Sequence, residues 1–509
     1  MKKQTFVRIL VCLLIVAMLV PIAACIQPGN GDGTGTTTAD NGGNNTTTTT
    51  AGGNVTQVTD KPVVPDDVRY DNQVVRTLFW SDVEHNEFDI AAADGDDVNN
   101  ALWTRNTNVE ARFGITLEWV GEKGNADNIA NFNNKMKAIH DGSDSEKFHM
   151  FAVYSLTATT ASTNGYCKNL LSDDCQYLDF SHEWWPKNLI KQITFGDNLY
   201  FASGDISLNT LYMMYVCYVN MDILGAHQLQ NPQELVGSGD WCYDKFFEMC
   251  ENIYQKGESN STGTKAVGDT FAYMTRTIHA DPWFYGTGAV LCSYNKDGKL
   301  TISNSMKSKA VDDTIKRLQH LFHETNDGIY TSDKVYHQKE FAAGHLLFMT
   351  DRARVSFKVI AQTENPPTYV IVPCPKYAAG TSNYSTVIGN PFTFYGIFER
   401  CDEPQKAAAV MEYYAYQSFK EVTPAVYERT LKGKYVDDQK SREMYDIIRK
   451  NFVFDIGRLY SATLGGTPTW FRTAISTGKA VNWEMTVSNS EDYVNGLCAK
   501  VQEKLEKKQ

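Results

Sequence analysis

The chain has 509 residues, with 48 lysines and arginines against 60 aspartates and glutamates, which gives a formal net charge of −12. An acidic surface disfavours nucleic acid and anionic lipid as partners, and it also disfavours polyanionic substrates. The length is too great for one hydrophobic core and fits two or more lobes.

The first residues have the layout of a secretory signal. Basic residues open the chain, residues 9–20 are apolar, and residues 22–25 read Ile-Ala-Ala-Cys. This ending resembles a bacterial lipobox, in which cleavage frees the cysteine amine and the thiol carries a diacylglycerol. An uncleaved membrane anchor is the alternative, but the apolar run is short for a bilayer span and Pro21 closes it. We predict a signal peptide over residues 1–24 and lipidation of Cys25, with the body outside the cytoplasmic membrane.

Residues 25–67 have the composition of a tether. After Cys25 the chain is mostly Gly, Thr, Asn and Asp, with five consecutive threonines at 46–50 and almost no aliphatic side chains. Such a segment cannot build a core, so we predict a disordered linker. A flexible chain of this length has a typical end-to-end distance of roughly 30 Å, which would keep a folded body close to the membrane.

Cysteine usage predicts reduced thiols rather than a disulfide framework. The count after Cys25 is odd, no pair has CxxC spacing, and several cysteines lie in apolar surroundings where they serve as small core residues. A bridge between Cys167 and Cys175 is the alternative left open by their spacing. The cysteines of the mature body are Cys167, Cys175, Cys217, Cys242, Cys250, Cys292, Cys374, Cys401 and Cys498.

The body opens with alternating strands and helices. Residues 74–80, 115–119 and 148–154 have strand character, while apolar residues recur at helical spacing over 102–113 and 129–142. Short loops between such elements predict a parallel sheet covered on both faces.

Polar and aromatic residues follow the ends of two of these strands. In parallel sheets ligands bind beyond the carboxyl ends of the strands. Trp80, Asp82 and Glu84 follow the first strand, and Tyr154 and Ser155 follow the third. These residues form a candidate site, with a buried core position as the alternative for Trp80.

Five stretches carry distinctive motifs in order along the chain: residues 108–117, 196–205, 218–224, 341–348 and 372–377. Together they resemble the motifs of family 1 extracellular solute-binding proteins of ABC importers, the group that contains maltose-binding protein. Residues 218–224 resemble the family's Tyr-Asn-Lys-Asp-Leu signature, with Val219 inserted and Met221 in place of Lys.

The resemblance implies an α/β fold of two lobes, a type II periplasmic-binding-protein-like fold with the ligand in the cleft between the lobes. It implies lobe 1 near residues 69–203 plus 327–387, and lobe 2 near 204–326 plus 388–509. The chain would cross near Gly204, near Ile329 and near Gly389. It also implies a monomer without a cofactor, which closes on a small-molecule sugar and then docks on permease subunits.

Sugars need flat aromatic rings for their C–H faces, and carboxylates, amides or arginines for their hydroxyls. Trp283 and Tyr285 lie in a stretch that combines these residue types with glycines, and it resembles the family's cleft-facing segment. Trp470 is a further candidate platform, and Asp205 and Arg352 are candidate hydrogen-bonding partners. The alternatives are core positions for the tryptophans, a hinge or cap role for Asp205, and a surface ion pair for Arg352.

The rival class is a secreted glycosidase, which needs two carboxylates at a fixed separation across the scissile bond. Sequence spacing does not exclude such a pair. However, the chain has no GxSxG, HExxH or P-loop motif, and its ten histidines form no ligand cluster along the sequence. We therefore predict no catalytic residues and no metal. An adhesin or scaffold is a weaker reading, because the sequence has no internal repeats.

Overall fold

The computed structural model describes residues 61–262, 264–332, 336–380, 384–427 and 439–507. The predicted signal peptide, Cys25 and most of the predicted linker lie outside these ranges. Where the end of the linker is described, Val64 is only 6% exposed and belongs to the hydrophobic core. The folded body therefore begins before the predicted boundary at residue 67. Within the described ranges, no helix combines the length and apolar character needed to cross a bilayer.

The described strands form two large sheets and two small two-stranded ones. In chain order they are β1 (Val74–Trp80), β2 (Thr116–Glu122), β3 (Met150–Tyr154), β4 (Tyr215–Asn220), β5 (Phe271–Thr275), β6 (Cys292–Tyr294), β7 (Leu300–Ile302), β8 (Gly328–Tyr330), β9 (Leu346–Arg352), β10 (Tyr369–Val372), β11 (Thr386–Val387), β12 (Thr393–Ile397) and β13 (Phe452–Val453).

Helices pack against the two large sheets. In chain order they are α1 (Asp97–Phe113), α2 (Ile129–Asp141), α3 (Ser155–Thr163), α4 (Lys187–Ile193), α5 (Leu208–Tyr212), α6 (Met221–Ala226), α7 (Pro232–Ser238), α8 (Tyr243–Met249), α9 (Asp281–Tyr285), α10 (Lys309–Gln319), α11 (Tyr336–Ala342), α12 (Val355–Lys358), α13 (Pro404–Gln417), α14 (Gln439–Lys450), α15 (Ile456–Leu459), α16 (Pro468–Ser476) and α17 (Trp483–Glu506).

The first sheet has the order β12-β3-β1-β2. Strand β1 pairs in parallel with both β2 and β3, so the predicted strand–helix–strand–helix–strand unit is confirmed. The predicted C-cap of α1 is also confirmed. Gly114 has φ +67° and its N–H donates to Glu110 O at 2.8 Å, a left-handed conformation that glycine adopts without strain.

The second sheet has the order β10-β4-β9-β5-β8. Strands β5, β8 and β9 run parallel to each other, while β4 runs antiparallel to β9 and to β10. Strands β4 and β5 are buried along their whole length, as expected for strands covered on both faces. The start of β4 and the carboxyl ends of β5 and β9 therefore lie at the same edge.

Strand pairing divides the chain differently from the predicted lobe boundaries. Strands β8, β9 and β10 fall in the segment 327–387, which was predicted to join the first sheet, but they hydrogen-bond within the second. Strand β12 falls in 388–509, yet it pairs with β3 of the first sheet. No crossing occurs near Ile329, because β8 pairs directly with β5.

The chain passes between the two sheets after Gly204 and again near Gly389. Gly204 has φ +148°, and a Cβ there would lie 2.4 Å from the carbonyl oxygen of Trp184, so only glycine fits. The two connections lie side by side, since Gly389 N donates to Met213 O at 2.7 Å and Met214 pairs with Ile388.

All nine cysteines of the body are free and buried. The Cys167–Cys175 bridge left open by the sequence does not form in this structure. The prediction of reduced structural thiols describes what is observed, and the sulfur atoms act as small apolar core groups.

Candidate functional site

The carboxyl edges of the two large sheets face each other, and the candidate site lies where they meet. From the first sheet come Glu84, after β1, and Tyr154, at the end of β3. From the second come Arg352, at the end of β9, and Arg354 just beyond it. The Arg354 guanidinium forms an ion pair with the Glu84 carboxylate, a direct contact between the two edges.

Three charged side chains of the second sheet's edge form a buried cluster. Both carboxylate oxygens of Asp281, the first residue of α9, accept hydrogen bonds from arginines. Arg472 Nε donates to Oδ1 at 2.7 Å and its Nη2 donates to Oδ2 at 2.8 Å, which is a bidentate pair. Arg458 Nε donates to Oδ2 at 3.1 Å. One carboxylate thus holds two guanidinium groups.

The electrostatics of Asp281 follow from this geometry. Burial raises the pKa of a carboxyl group, but Arg472 and Arg458 more than offset that effect. The pKa of Asp281 therefore lies below the usual 3.8, and the side chain is ionised at neutral pH.

Arg352 also lies against the connection at residues 388–389. Its Nε donates to Asp351 Oδ1 at 3.2 Å, and no described residue accepts from its two Nη atoms. A Cβ at Gly389 would lie 2.9 Å from Arg352 Cδ, so the absence of a side chain there makes room for the arginine. Arg458 Nη1 donates to Ile388 O at 2.8 Å. The two arginines therefore contact neighbouring residues of one short segment.

Several polar atoms in this region are buried and have no hydrogen-bond partner among the described residues. They include the hydroxyl of Tyr215, at the start of β4, Nη2 of Arg458, and Oδ1 of Asn390, next to Gly389. Tyr215 is close enough to Arg352 and Arg458 for both to influence its pKa, which burial raises above the usual value. Unpaired buried donors are costly and indicate a place for water or a ligand.

Tyr154 faces the same region from the first sheet. Burial raises the pKa of Tyr154 to about 12, while the nearby Arg458 and Arg352 act in the opposite direction. Its ring centroid lies 5.4 Å from that of Trp80. The structure therefore brings together the predicted residues Tyr154 and Arg352.

Asp82 and Trp80 are held within the first sheet's own loops. Asp82 Oδ1 accepts from the backbone N–H groups of Gly124 and Asn125 at 2.8 and 2.9 Å. Trp80 is 1% exposed, and its Nε1 donates to Thr393 Oγ1 at 3.0 Å. A ring buried this completely offers no face to a sugar, so the core alternative describes Trp80.

Trp283 and Tyr285 also lie in the core. Trp283 is 1% exposed, its Nε1 donates to Tyr273 OH at 2.7 Å, and its ring centroid lies 4.7 Å from that of Phe246. Tyr285 donates to Asp455 Oδ2 at 3.1 Å in a buried network. The predicted stacking role of Trp283 conflicts with this placement, because neighbouring aromatic rings enclose it.

Asp205 and Trp470 are not part of the charged cluster around Asp281. Asp205 lines a separate cavity of about 560 Å³ beside the first connection, and its Oδ1 accepts from Arg449 Nη2 at 2.8 Å and from Thr423 Oγ1 at 2.6 Å. Trp470 is partly exposed on α16. Trp470 and Arg472 are two positions apart on α16, which is a rotation of about 200° around the helix axis. Trp470 therefore lies on roughly the opposite face of the helix from Arg472, which contacts Asp281.

The fold gathers histidines that the sequence does not place together. His337 Nε2 lies 2.8 Å from Asp351 Oδ2 and His279 Nδ1 lies 3.2 Å from Oδ1, a set of donor types that could hold a metal ion. However, Gln338 Nε2 and Arg352 Nε also donate to this carboxylate. A guanidinium beside the group opposes a cation, so the arrangement acts as a hydrogen-bond network that fixes Asp351.

The sequence analysis missed Arg458, Arg472, Asp281 and Tyr215. A signal existed for Arg458, because it is a charged residue inside the otherwise apolar run 456–460. A charge in such a setting is rarely buried unless it is paired. Its partner Asp281 lies far away in sequence, so the pair itself could not be predicted.

No protein-family description and no curated protein sequence matches the chain. Solved structures do match. A cyclo/maltodextrin-binding protein complexed with maltotetraose has a TM-score of 0.54 at 12% identity, over 87% of this chain and 100% of that one. An ABC substrate-binding protein from Listeria monocytogenes in complex with cycloalternan has a TM-score of 0.52 at 12% identity, over 84% and 99%. UgpB from Mycobacterium tuberculosis, in complex with glycerophosphocholine, has a TM-score of 0.52 at 14% identity, over 78% and 94%.

These likenesses span nearly the whole of each neighbour at low identity, so they establish the fold. The chain has a two-lobed α/β fold like that of these neighbours, as the family resemblance implied. The candidate site occupies the carboxyl edges of the sheets, where open α/β sheets bind ligands.

Proposed function

We propose that the chain is the ligand-capturing component of an ABC importer, a solute-binding protein that takes a carbohydrate, with an oligosaccharide as the favoured size class. One observation supports this most directly: two α/β sheets meet at their carboxyl edges around a polar site that residues of both contribute to. Two structural neighbours hold the carbohydrates maltotetraose and cycloalternan.

In this proposal each lobe is built around one of the two large sheets. Lobe 1 comprises residues 61–203 plus 388–417, and lobe 2 comprises residues 208–387 plus 439–507. Ligand contacts from both lobes would stabilise a closed state over an open one, with rotation about the paired connections near Gly204 and Gly389. The ligand-binding residues would be Tyr154 and Arg352 with the arginines near Asp281, rather than the buried tryptophans.

The location and partners follow from the same proposal. Processing at Cys25 would attach a lipid and hold the monomeric body at the outer face of the cytoplasmic membrane. The closed body would then dock on the permease subunits of the importer.

A glycosidase is the alternative, and the ionisation of the site weighs against it. A glycosidase needs a carboxylic acid whose pKa is raised so that it can donate a proton. Burial raises the pKa of Asp351, but His279 and Arg352 more than offset that effect, and the pKa lies well below 3.8. Asp281 is likewise lowered by its arginines. Neither of these two carboxylates suits an acid catalyst. Burial raises the pKa of Asp455, but its oxygens already accept hydrogen bonds from Tyr285 and from the backbone of Leu291 and Gly457.

The test is thermal unfolding of the mature chain against a panel of mono- and oligosaccharides, with peptides and amino acids as controls. A ligand at 100 times its Kd stabilises the folded state by about 2.7 kcal/mol. We expect stabilisation by one sugar class without turnover, and a smaller radius of gyration in solution scattering when that sugar is bound. Release of product from a glycan would overturn the proposal in favour of an enzyme, and stabilisation by peptides alone would overturn the carbohydrate assignment.

A further inference from the structure

Around Arg352 and Arg458, the polar groups that lack a partner include more hydrogen-bond donors than acceptors. Each carboxylate oxygen of Asp281 already accepts at least one hydrogen bond from an arginine. Asp351 accepts from His337, Gln338 and Arg352. The local carboxylates are therefore occupied within the protein.

Asp455, three residues before Arg458, is occupied as well. It accepts from Tyr285 OH at 3.1 Å and from the backbone N–H groups of Leu291 and Gly457 at 2.5 and 2.7 Å. It caps α15 and joins it to the β6 region, so it does not supply a free acceptor to the site.

The unused groups are mainly donors, although Asn390 Oδ1, next to Gly389, is a buried acceptor without a partner among the described residues. Nη2 of Arg458 and the hydroxyl of Tyr215 are buried without a partner, and no described residue accepts from the Nη atoms of Arg352. The Arg352 side chain is 11% exposed, so water reaches it only in part. These donors share one location, because Arg458 binds Ile388 O while Arg352 packs on Gly389.

The complement of several guanidinium donors is a ligand group rich in acceptors. A neutral sugar offers hydroxyls, each of which carries a proton that needs an acceptor, and because the local carboxylates are occupied, few acceptors besides Asn390 Oδ1 remain. A carboxylate offers two oxygens and no proton, and it fits the planar fork of an arginine.

We propose that the site takes a carbohydrate that carries a carboxylate, of the uronic acid class, with the carboxylate bound between Arg352 and Arg458. This inference rests on the proposed carbohydrate-binding function and specifies its substrate class. One ligand carboxylate is compatible with the acidic surface of the chain, because the attraction acts at short range inside a partly buried site, where screening is weak.

The experiment measures Kd by calorimetry for matched pairs of sugars on the mature chain. Oligogalacturonates are compared with neutral galactose oligomers of the same length, and glucose 6-phosphate is compared with glucose. Inorganic phosphate and sulfate are measured alone. We expect the uronate to bind at least about tenfold more tightly than its neutral partner.

Variants locate the preference. Arg352→Gln removes the guanidinium and should cost more affinity for the uronate than for the neutral sugar, so that the roughly tenfold preference for the uronate is lost. Gly389→Ala keeps the charge but displaces Arg352, and it should lower the same preference. Arg317→Gln is the matched control, because it also removes a guanidinium, and Arg317 forms an ion pair with Asp244 that is exposed to solvent. Thermal unfolding without ligand checks that each variant folds.

The outcomes separate this inference from the proposed function. Equal or tighter binding of the neutral sugar would overturn the uronate inference and leave the carbohydrate function in place. Preference for the phosphate ester over the uronate would overturn the carboxylate assignment. Binding of inorganic anions with no sugar of either charge would overturn both. An unchanged uronate preference in folded Arg352→Gln would remove the arginine from the site.

Discussion

The two sheet edges that meet at the candidate site hold their acidic residues in different ways. After β1 in the first sheet, Asp82 accepts hydrogen bonds from backbone N–H groups, and Glu84 extends to the opposite edge with its side chain 40% exposed. In the second sheet, Asp281 and Asp351 are buried and paired with arginines.

The difference assigns different tasks to the two edges. Asp82 accepts hydrogen bonds from the backbone of a neighbouring loop and so fixes the conformation of that loop. The buried ion pairs of the second sheet hold arginines in fixed positions, at the cost of desolvating every partner. We infer that the second sheet carries the rigid recognition chemistry and that the first sheet contributes Tyr154 and a movable contact. The following predictions test that contrast, from the largest expected effect to the smallest.

Replacing Asp281 should have the largest effect on stability. Asp281→Asn removes the charge that two buried arginines share, and breaking a buried pair in this way costs about 3–5 kcal/mol. Urea unfolding monitored by circular dichroism measures the loss. The exposed Asp244→Asn, which breaks the ion pair with Arg317, is the control and should change stability by less than about 1 kcal/mol. Equal effects in the two variants would show that burial of the cluster contributes nothing.

The contribution of Asp281 should also depend on pH. Its pKa is lower in the folded than in the unfolded chain, so its stabilising effect is present above the usual value of 3.8 and is lost as pH falls towards the folded pKa. The stability difference between wild type and Asp281→Asn should be constant above about pH 5 and shrink below it. A difference that grows on acidification would contradict the assignment of an ionised Asp281.

Asp82 should contribute an intermediate amount. Asp82→Ala leaves the N–H groups of Gly124 and Asn125 without their acceptor, which costs about 1–3 kcal/mol. Asp82→Asn keeps an oxygen that can accept from both and should recover much of that loss, although its amide nitrogen cannot accept the hydrogen bond that Asn128 Nδ2 donates to Oδ2. Denaturant unfolding compares the two variants. If alanine and asparagine destabilise equally, the charge of Asp82 matters more than its hydrogen bonds.

The smallest effect is expected at the contact between the edges. Glu84→Gln weakens the ion pair with Arg354, and because Glu84 is substantially exposed the cost should be about 0–1 kcal/mol. The same variant should change the radius of gyration in solution scattering if this contact biases the two lobes towards closure. A loss of several kcal/mol would show that the first edge is as rigid as the second.

Local pattern was sufficient to predict the first sheet. The strand at residues 74–80, the helix capped by Gly114 and the strand after it follow one another in the sequence. Short connections between such elements favour a parallel arrangement of the two strands. The pairing of β9 with β4 joins residues more than a hundred positions apart. Periodicity identifies each as a strand but does not identify the partner. The same holds for β8 and β5, whose pairing contradicts the predicted crossing near Ile329.

Only part of the candidate site could be predicted, for the same reason. Tyr154 and Arg352 are visible because each ends a strand. The burial of Trp80 and Trp283 is not visible, since an aromatic residue at a strand end or in a loop has the same sequence signature whether it stacks on a ligand or fills the core. The pairing of Arg458 with Asp281 is set only by the tertiary fold.

The nine buried thiols can serve as reporters of unfolding. Burial raises the pKa of Cys217, Cys250 and Cys374, so these sulfurs carry almost no thiolate in the native state and react slowly with alkylating agents. Once the chain unfolds, each becomes an ordinary reactive thiol. The rate at which a maleimide labels them would therefore count unfolding events directly, and in air those same events would end in oxidation rather than refolding.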